Sequence, residues 1–207
     1  MKNKLLLEEI LSSITHGIGV VLSTVGLVIL LVIANRQHNL WEIIGFSIFG
    51  ISLILMFLMS TLFHSLSFTK AKKVFLVLDQ SSIFLLIAGT YTPIALIVLR
   101  GWIGWVLLCV VWSIAIVGIV LKAVFMDKFK IVLVVLYLLL GWAGLIVIRP
   151  LFMHLSLSQI YLLILGGLFY SSGVIFYAWK RLPFNHAIWH LFVLAGSACH
   201  FFVISGL

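Results

Sequence analysis

The sequence predicts an all-α integral membrane protein, in which seven transmembrane helices form a single domain over residues 1–207. Of its 207 residues, 64% are apolar and only 9% are charged, and the mean hydropathy is +1.34. Soluble domains are about 45–50% apolar and about 25% charged, so this balance indicates lipid as the main solvent. Seven long apolar stretches and an unequal distribution of basic residues support the same fold class.

Each of the seven apolar stretches is long enough to cross a bilayer, which takes about 20 helical residues. The predicted spans are residues 17–35, 42–64, 74–98, 102–121, 131–149, 157–178 and 186–206. Pro150 and Pro183 fall at boundaries, whereas Pro93 lies inside a span and predicts a kink. Tryptophans toward the ends of the spans, among them Trp142 and Trp189, predict an interfacial belt rather than a ligand cage.

Basic residues predict the orientation of the bundle. Ten of them fall on the side of the N-terminus and three on the opposite side. The ten are Lys2, Lys4, Lys70, Lys72, Lys73, Lys122, Lys128, Lys130, Lys180 and Arg181, and the three are Arg36, Arg100 and Arg149. The positive-inside rule then places the N-terminus in the cytoplasm and the C-terminus outside, which requires an odd number of spans. Because these residues are dispersed between apolar stretches, the net charge of +8 indicates membrane lipids as partners and no nucleic acid.

Residues 5–14 predict a short amphipathic helix lying in the inner membrane interface. Its apolar face carries Leu6, Leu7, Ile10, Leu11 and Ile14, and its polar face carries Glu8, Glu9, Ser12 and Ser13. The two glutamates interrupt the apolar run and no small-residue cleavage site follows, so the segment does not have the pattern of a cleavable signal peptide.

Ionisable residues of three predicted helices fall at one depth near the cytoplasmic side. His64, Asp79 and His186 each lie five or six residues from a lysine or arginine of that side, which is about 7–9 Å along a helix. His190 follows His186 by four residues and shares its helix face. Asp79 is the only acid deep within a predicted span, where a carboxylate costs about 2.5–3.5 kcal/mol. That cost favours a functional role for Asp79.

The spacing of His186 and His190 allows one helix to chelate a zinc ion. The segment HAIWH lacks the glutamate of HExxH enzymes, and alone it is weak evidence for a metal, since interfacial histidines bonded to backbone or lipid have the same spacing. A third histidine and an aspartate at the same depth favour a zinc site formed by His64, His186 and His190. Three histidine ligands leave a fourth position for water, which Asp79 could hold or deprotonate. Ser60 lies one turn before His64 on the same face.

The other polar groups within the spans are not expected to bind metal. His16 begins the first span and is predicted to be a packing or supporting group. His200 lies about 20 Å along the helix from His186, too far to share its metal. His38 and His154 fall on or near the outer side. Cys109 and Cys199 lie in apolar runs without CxxC spacing, so they predict neither a disulfide framework nor a thiolate metal site.

Several spaced motifs, in order along nearly the whole chain, resemble the hemolysin III branch of the progestin and adiponectin receptor superfamily. They are Glu9-x-x-Ser12-x-x-Thr15-His16, Ser60-x-x-x-His64, Leu78-Asp79-Gln80, Gly89-Thr90-Tyr91-Thr92-Pro93, His186-x-x-x-His190 and His200. The receptors tend to have asparagine at the position of Ser12. The resemblance implies a seven-helix bundle in the bacterial cell membrane with its N-terminus inside. It also implies zinc on His64, His186 and His190, with water near Asp79 and Ser60.

The resemblance leaves three functions open. Related alkaline ceramidases hydrolyse lipid amides, so the first hypothesis is a zinc hydrolase of a lipid-like amide, with Asp79 as base and Ser60 orienting the substrate or stabilising the oxyanion. The second is a non-enzymatic receptor or membrane-homeostasis protein with structural zinc. The third is hemolysin-like, pore-forming cytolysis. A secreted pore-former should survive in water, which this composition does not favour, and no charged channel lining is evident in the sequence.

Overall fold

A computed structural model describes residues 2–125 and 128–207, and all its regular elements are helical. The side chains of Lys2 and Lys130, both assigned above to the cytoplasmic side, lie outside this description. The α-helices are α1 (Lys2–Gln37), α2 (Leu40–Ser65), α3 (Lys72–Pro93), α4 (Gly101–Phe125), α5 (Lys130–Gly141), α6 (Ile148–His154), α7 (Leu157–Ala178) and α8 (Asn185–Ser205). A π-helical segment, Ile94–Leu99, extends α3, and a 3₁₀ segment, Ala143–Val147, joins α5 to α6.

Seven helical stretches of the described chain are long and apolar enough to cross a membrane. Their outward faces carry large exposed apolar side chains such as Val21, Ile131 and Leu139, as a surface in contact with lipid requires. The predicted fold class and number of spans are therefore confirmed. The sixth span has the predicted bounds, because Ser156 and Gln159 form a capping box that fixes where α7 begins.

The fifth span differs from its prediction, since the helix expected over 131–149 is interrupted after Gly141. A 3₁₀ segment follows, and α-helical backbone begins again with α6 at Ile148. The side chain of Tyr91, on α3, compensates the interruption: its hydroxyl donates to the carbonyl of Gly141 at 2.9 Å and accepts from the N–H of Gly144 at 2.7 Å. Backbone groups freed within a membrane need such partners, so the interruption depends on α3 and not on the local sequence alone.

Pro93 marks the point at which α3 changes to π-helical backbone. Proline has no N–H to donate, so a regular α-helix cannot continue unchanged through it. Opposite it stands Gly45 of α2, where an added Cβ would lie 3.0 Å from the Cα of Pro93. The absence of a side chain at Gly45 therefore allows α2 and α3 to approach closely.

Neighbouring helices pack so that four chain segments meet at one end of the bundle. α1 packs against α2 and α8, α2 against α3, α3 against α4, and α7 against α8. One apolar core is formed by α1, α2, α3 and α8 around Phe46 and Phe49. A second is formed by the five helices from α3 through α7, around Phe84 and Val111. The start of α1, the end of α2 and the starts of α3 and α8 thus lie together, and we call this the N-terminal end of the bundle.

We expect the N-terminal end of the bundle to face the cytoplasm, because the basic residues are concentrated there. Reporter fusions at each terminus, one active only in the cytoplasm and one only outside it, measure this directly. The N-terminal fusion should report the cytoplasm and the C-terminal fusion the outside. Both termini on one side would contradict the prediction.

Candidate metal centre

Three histidine side chains converge at the N-terminal end of the bundle. His64 belongs to the last turn of α2, and His186 and His190 lie one turn apart at the start of α8. Their ligand nitrogens all lie within 4.8 Å of one another. His64 Nε2 is 3.2 Å from His186 Nε2. The structure therefore brings together the three residues predicted to bind metal.

The turn before α8 fixes where its two histidines enter the bundle. The side-chain amide of Asn185 donates to the carbonyls of Phe176 and Tyr177, at 3.2 and 3.0 Å, near the end of α7. These bonds hold the first residue of α8 against α7. The four-residue spacing then points His186 and His190 to the same side.

Hydrogen bonds to the far edges of two rings determine which nitrogens are free to bind metal. His64 Nδ1 lies 2.7 Å from a carboxylate oxygen of Glu9, and His190 Nδ1 lies 3.1 Å from the carbonyl oxygen of Ser12. A carbonyl oxygen can only accept, so His190 Nδ1 carries the hydrogen, and a carboxylate favours the same tautomer for His64. Each Nε2 then presents a lone pair. His190 Nε2 is buried without a hydrogen-bond partner among the described residues.

This donor set fits a zinc ion. Zinc binds neutral imidazole at about 2.0–2.1 Å, and in tetrahedral geometry two such nitrogens lie about 3.3–3.4 Å apart. The separation between His64 Nε2 and His186 Nε2 is 3.2 Å. Two lone pairs held this close repel each other unless a proton or a cation lies between them. The unpartnered His190 Nε2 is equally suited to a cation.

Asp79 and Ser60, predicted to act on the substrate, lie beside the histidines. Both are buried, and the Asp79 carboxylate is close enough to interact with His64 and with the Ser60 hydroxyl. Ser60 Oγ makes no hydrogen bond of good geometry within the described residues. A carboxylate and an uncommitted hydroxyl therefore lie beside His64, one member of the histidine cluster.

Lys122 is a buried cation, although its position in the sequence predicted a loop. α4 extends to Phe125, and Lys122 is only 1% exposed within it. Its charge interacts with the Asp79 carboxylate. The positive charge of Lys122 on α4 thus partly offsets the negative charge of Asp79. Lys73, which is closer to Asp79 in sequence, is exposed instead.

His16 lies against the site without belonging to the ligand set, as predicted. Its ring stacks on that of His190 with centroids 3.5 Å apart, and the edge of Phe57 covers it at 5.0 Å. The side chain is 1% exposed, and neither ring nitrogen has a hydrogen-bond partner among the described residues. His16 therefore restricts the ring of His190 by stacking.

A largely apolar cavity of about 170 Å³ extends into the bundle from Asp79 and His16, which adjoin the histidine cluster. Asp79 and Ile94 of the α3 span both line it, and their separation in sequence corresponds to roughly 22 Å of helix. Trp142 and Trp189 also border the cavity, and because both remain partly exposed, the interfacial belt stays a prediction. Their positions near helix ends did not reveal that the fold turns them inward.

His200 borders the same cavity far from the metal ligands. Ten residues separate it from His190, about 15 Å along α8. His200 Nε2 donates to the carbonyl of Leu163 at 3.2 Å. As expected, His200 takes no part in the histidine cluster. His38 and His154 are likewise absent from it.

The N-terminal residues support the ligands, a role that was not predicted from the sequence. α1 continues without a break from Lys2 to Gln37, so residues 5–14 are helical and continuous with the first span. Their polar face contacts α2 and α8 through Glu8, Glu9 and Ser12. The spacing of Glu9, Ser12 and His16 on one helix face was the available signal. Location of this segment in the membrane interface stays a prediction.

The fold and site define a multi-pass membrane protein with a buried histidine cluster beside an apolar cavity. A family model described as Haemolysin-III related matches residues 5–201, so the chain belongs to that family. In bacteria the location of such a protein is the cell membrane. The predicted resemblance is confirmed.

Three relatives illustrate the range of the family resemblance. The chain is 49% identical over 197 residues to the Hemolysin-3 homolog of Bacillus subtilis (strain 168), covering 95% of this chain and 92% of the relative. It is 47% identical over 197 residues to Hemolysin-3 of Bacillus cereus, with coverage of 95% and 90%. It is 30% identical over 203 residues to the Monocyte to macrophage differentiation factor of Homo sapiens, with coverage of 95% and 83%. The last match supports the relation to the wider receptor superfamily.

Proposed function

We propose that this protein is a zinc-dependent hydrolase that cleaves an amide bond of a lipid-like substrate within the membrane. The observation that carries the proposal is the position of Asp79, which lines one end of a long apolar cavity and interacts with His64 of the histidine cluster. The cavity suits a hydrocarbon chain, because its lining is dominated by aliphatic and aromatic side chains. The polar end suits the amide to which that chain is attached.

The residues at the polar end divide the expected chemistry between them. His64, His186 and His190 would hold the zinc ion, which when bound supplies Lewis-acid polarisation of the scissile carbonyl. Asp79 would accept a proton from the attacking water and return it to the leaving amine. Ser60 Oγ, which has no committed hydrogen bond among the described residues, would donate to the carbonyl oxygen as negative charge develops there.

Burial of the site supports this division of roles. His64, His190, Asp79 and Ser60 are all at most 5% exposed. In such surroundings a charge or dipole acts more strongly than in water, since little solvent screens it. The hydrocarbon of the substrate would exclude further water from the cavity.

The direct test is release of free fatty acid from N-acyl lipids by the purified protein in lipid vesicles. We expect ceramides of different acyl lengths to be cleaved, with activity removed by a zinc chelator and restored by added zinc. Mass spectrometry of the released acid gives the rate and the preferred chain length. A protein that binds zinc but cleaves no lipid amide would instead support the receptor or homeostasis function with structural zinc.

The names of the two Bacillus relatives, Hemolysin-3 homolog and Hemolysin-3, raise cytolysis as the remaining function. Added protein should lyse erythrocytes if that function applies here, and the same purified preparation can be used for the assay. We expect no lysis, because the exposed surface of the bundle is apolar and suited to remaining in a bilayer.

A further inference from the structure

The polar face at the start of α1 reaches each of the three metal-binding histidines. Glu9 contacts the ring of His64, and the Ser12 carbonyl contacts the ring of His190. Glu8 accepts a hydrogen bond from the backbone N–H of His186 at 3.2 Å. The apolar residues between them point outward and are exposed. One helical face therefore touches both helices that supply the ligands.

The contact made by Glu9 differs from the other two in strength. It joins a carboxylate to a ring N–H at 2.7 Å, the length of a charge-assisted hydrogen bond. The Glu9 side chain is 13% exposed, so solvent competes little for it. Its second oxygen lies 3.9 Å from the ammonium group of Lys72, which helps to hold the carboxylate in place.

A carboxylate on the far edge of a ligand histidine has two effects on metal binding. It fixes the rotation of the ring, and it keeps the hydrogen on Nδ1 so that Nε2 presents its lone pair to the metal. Such partners are worth about 10–100-fold in metal affinity. Among the described residues, His64 has Glu9 as its partner on this edge and His186 on the other.

We propose that Glu9 is a positioning residue of the metal centre, and that the start of α1 is an integral part of that centre. The inference rests on the zinc site of the proposed function but not on its hydrolase activity. Glu9 holds His64 in the orientation that binds zinc, while Glu8 and Ser12 hold the start of α8 against the same helix. The metal centre is thus assembled from three helices, although only two supply ligands.

The test measures zinc affinity of the detergent-purified full-length protein by competition with a chromophoric chelator. Glu9→Ala should bind zinc about 10–100-fold more weakly than the parent, and Glu9→Gln, which keeps the size and a neutral acceptor, about tenfold more weakly. The matched control is Glu42→Gln, which makes the same change at a buried acid near the start of α2, where Glu42 accepts from the side-chain amide of Asn39. Glu42 contacts none of the three histidines, so this variant should retain the affinity of the parent.

A second measurement separates positioning from general destabilisation. The visible spectrum of the Co²⁺-substituted protein reports ligand geometry, and it should change in both Glu9 variants but not in Glu42→Gln. Thermal unfolding of the metal-free proteins should be similar in all three. Parental zinc affinity in Glu9→Gln and Glu9→Ala overturns the inference, as does equal loss in Glu42→Gln. A parent that binds no zinc overturns it together with the site, whereas zinc binding without hydrolysis overturns only the proposed function.

Discussion

His186→Ala and His190→Ala are each expected to abolish stoichiometric zinc binding, which in the parent should be about one ion per chain. Each change removes one of three ligands, and the two that remain cannot form the three-histidine set that zinc sites of this kind use. The loss should exceed the 10–100-fold typical of a partner that only supports a ligand. Elemental analysis of detergent-purified protein gives the metal content, and chelator competition gives the affinity.

His200→Ala is the matched control for both histidine variants. It removes the same side chain from the same helix, at a position that borders the cavity about 15 Å from His190. His200→Ala therefore removes packing contacts, as the two histidine variants do, but it removes no predicted metal ligand. We expect His200→Ala to keep its zinc. Full metal content in His186→Ala and His190→Ala, or no stoichiometric transition metal in the parent, would show the proposed site to be wrong.

Asp79→Asn is expected to lower the rate of lipid-amide hydrolysis by about 10²–10⁴-fold, the usual contribution of a positioned acid or base. Asparagine keeps the shape of the side chain but cannot accept the proton of the attacking water. Because the three histidines are untouched, the variant should still bind about one zinc per chain. The measurements are the release of fatty acid from a lipid amide that the parent cleaves, and zinc content on the same preparation.

Glu42→Gln is the corresponding control, since it neutralises another buried acid away from the histidines. Glu42 is 3% exposed near the start of α2 and accepts from the side-chain amide of Asn39 at 2.7 Å. We expect it to leave the rate of hydrolysis unchanged. If Asp79 serves only to balance the charge of Lys122, Asp79→Asn should reduce thermal stability and retain the parental rate. Equal rates in Asp79→Asn and the parent would therefore end the catalytic assignment.

The members of the histidine cluster could be predicted from sequence because depth in a membrane can be counted. A helix rises 1.5 Å per residue, and lysines and arginines mark its cytoplasmic boundary. His64 and His186 could therefore be placed in one layer by counting residues from those boundaries. Their partners could not, since Glu9 and His64 are 55 residues apart in sequence. No local sequence pattern predicts that α1 packs against both α2 and α8.

Lys122 and Trp189 show the limit of the same argument. Distance from a boundary predicts how deep a residue lies but not the direction its side chain takes around the helix. Lys122 was predicted to lie in a loop on the cytoplasmic side. In the structure it belongs to the last turns of α4, where its side chain is buried and interacts with Asp79. Trp189 lies near a helix end, as a belt residue would, yet it borders the cavity.

Composition and periodicity by themselves determined the class of this protein, its seven spans and its candidate ligands, because lipid imposes length and hydropathy on every helix that crosses it. Tertiary structure alone decided where the fifth span breaks, since the Tyr91 hydroxyl on α3 satisfies the freed backbone groups of Gly141 and Gly144. It also decided that the start of α1 contacts the three histidines and that a cavity borders Asp79 beside them. These features depend on contacts between distant segments, and helix packing, unlike hydropathy, leaves no regular period in the sequence.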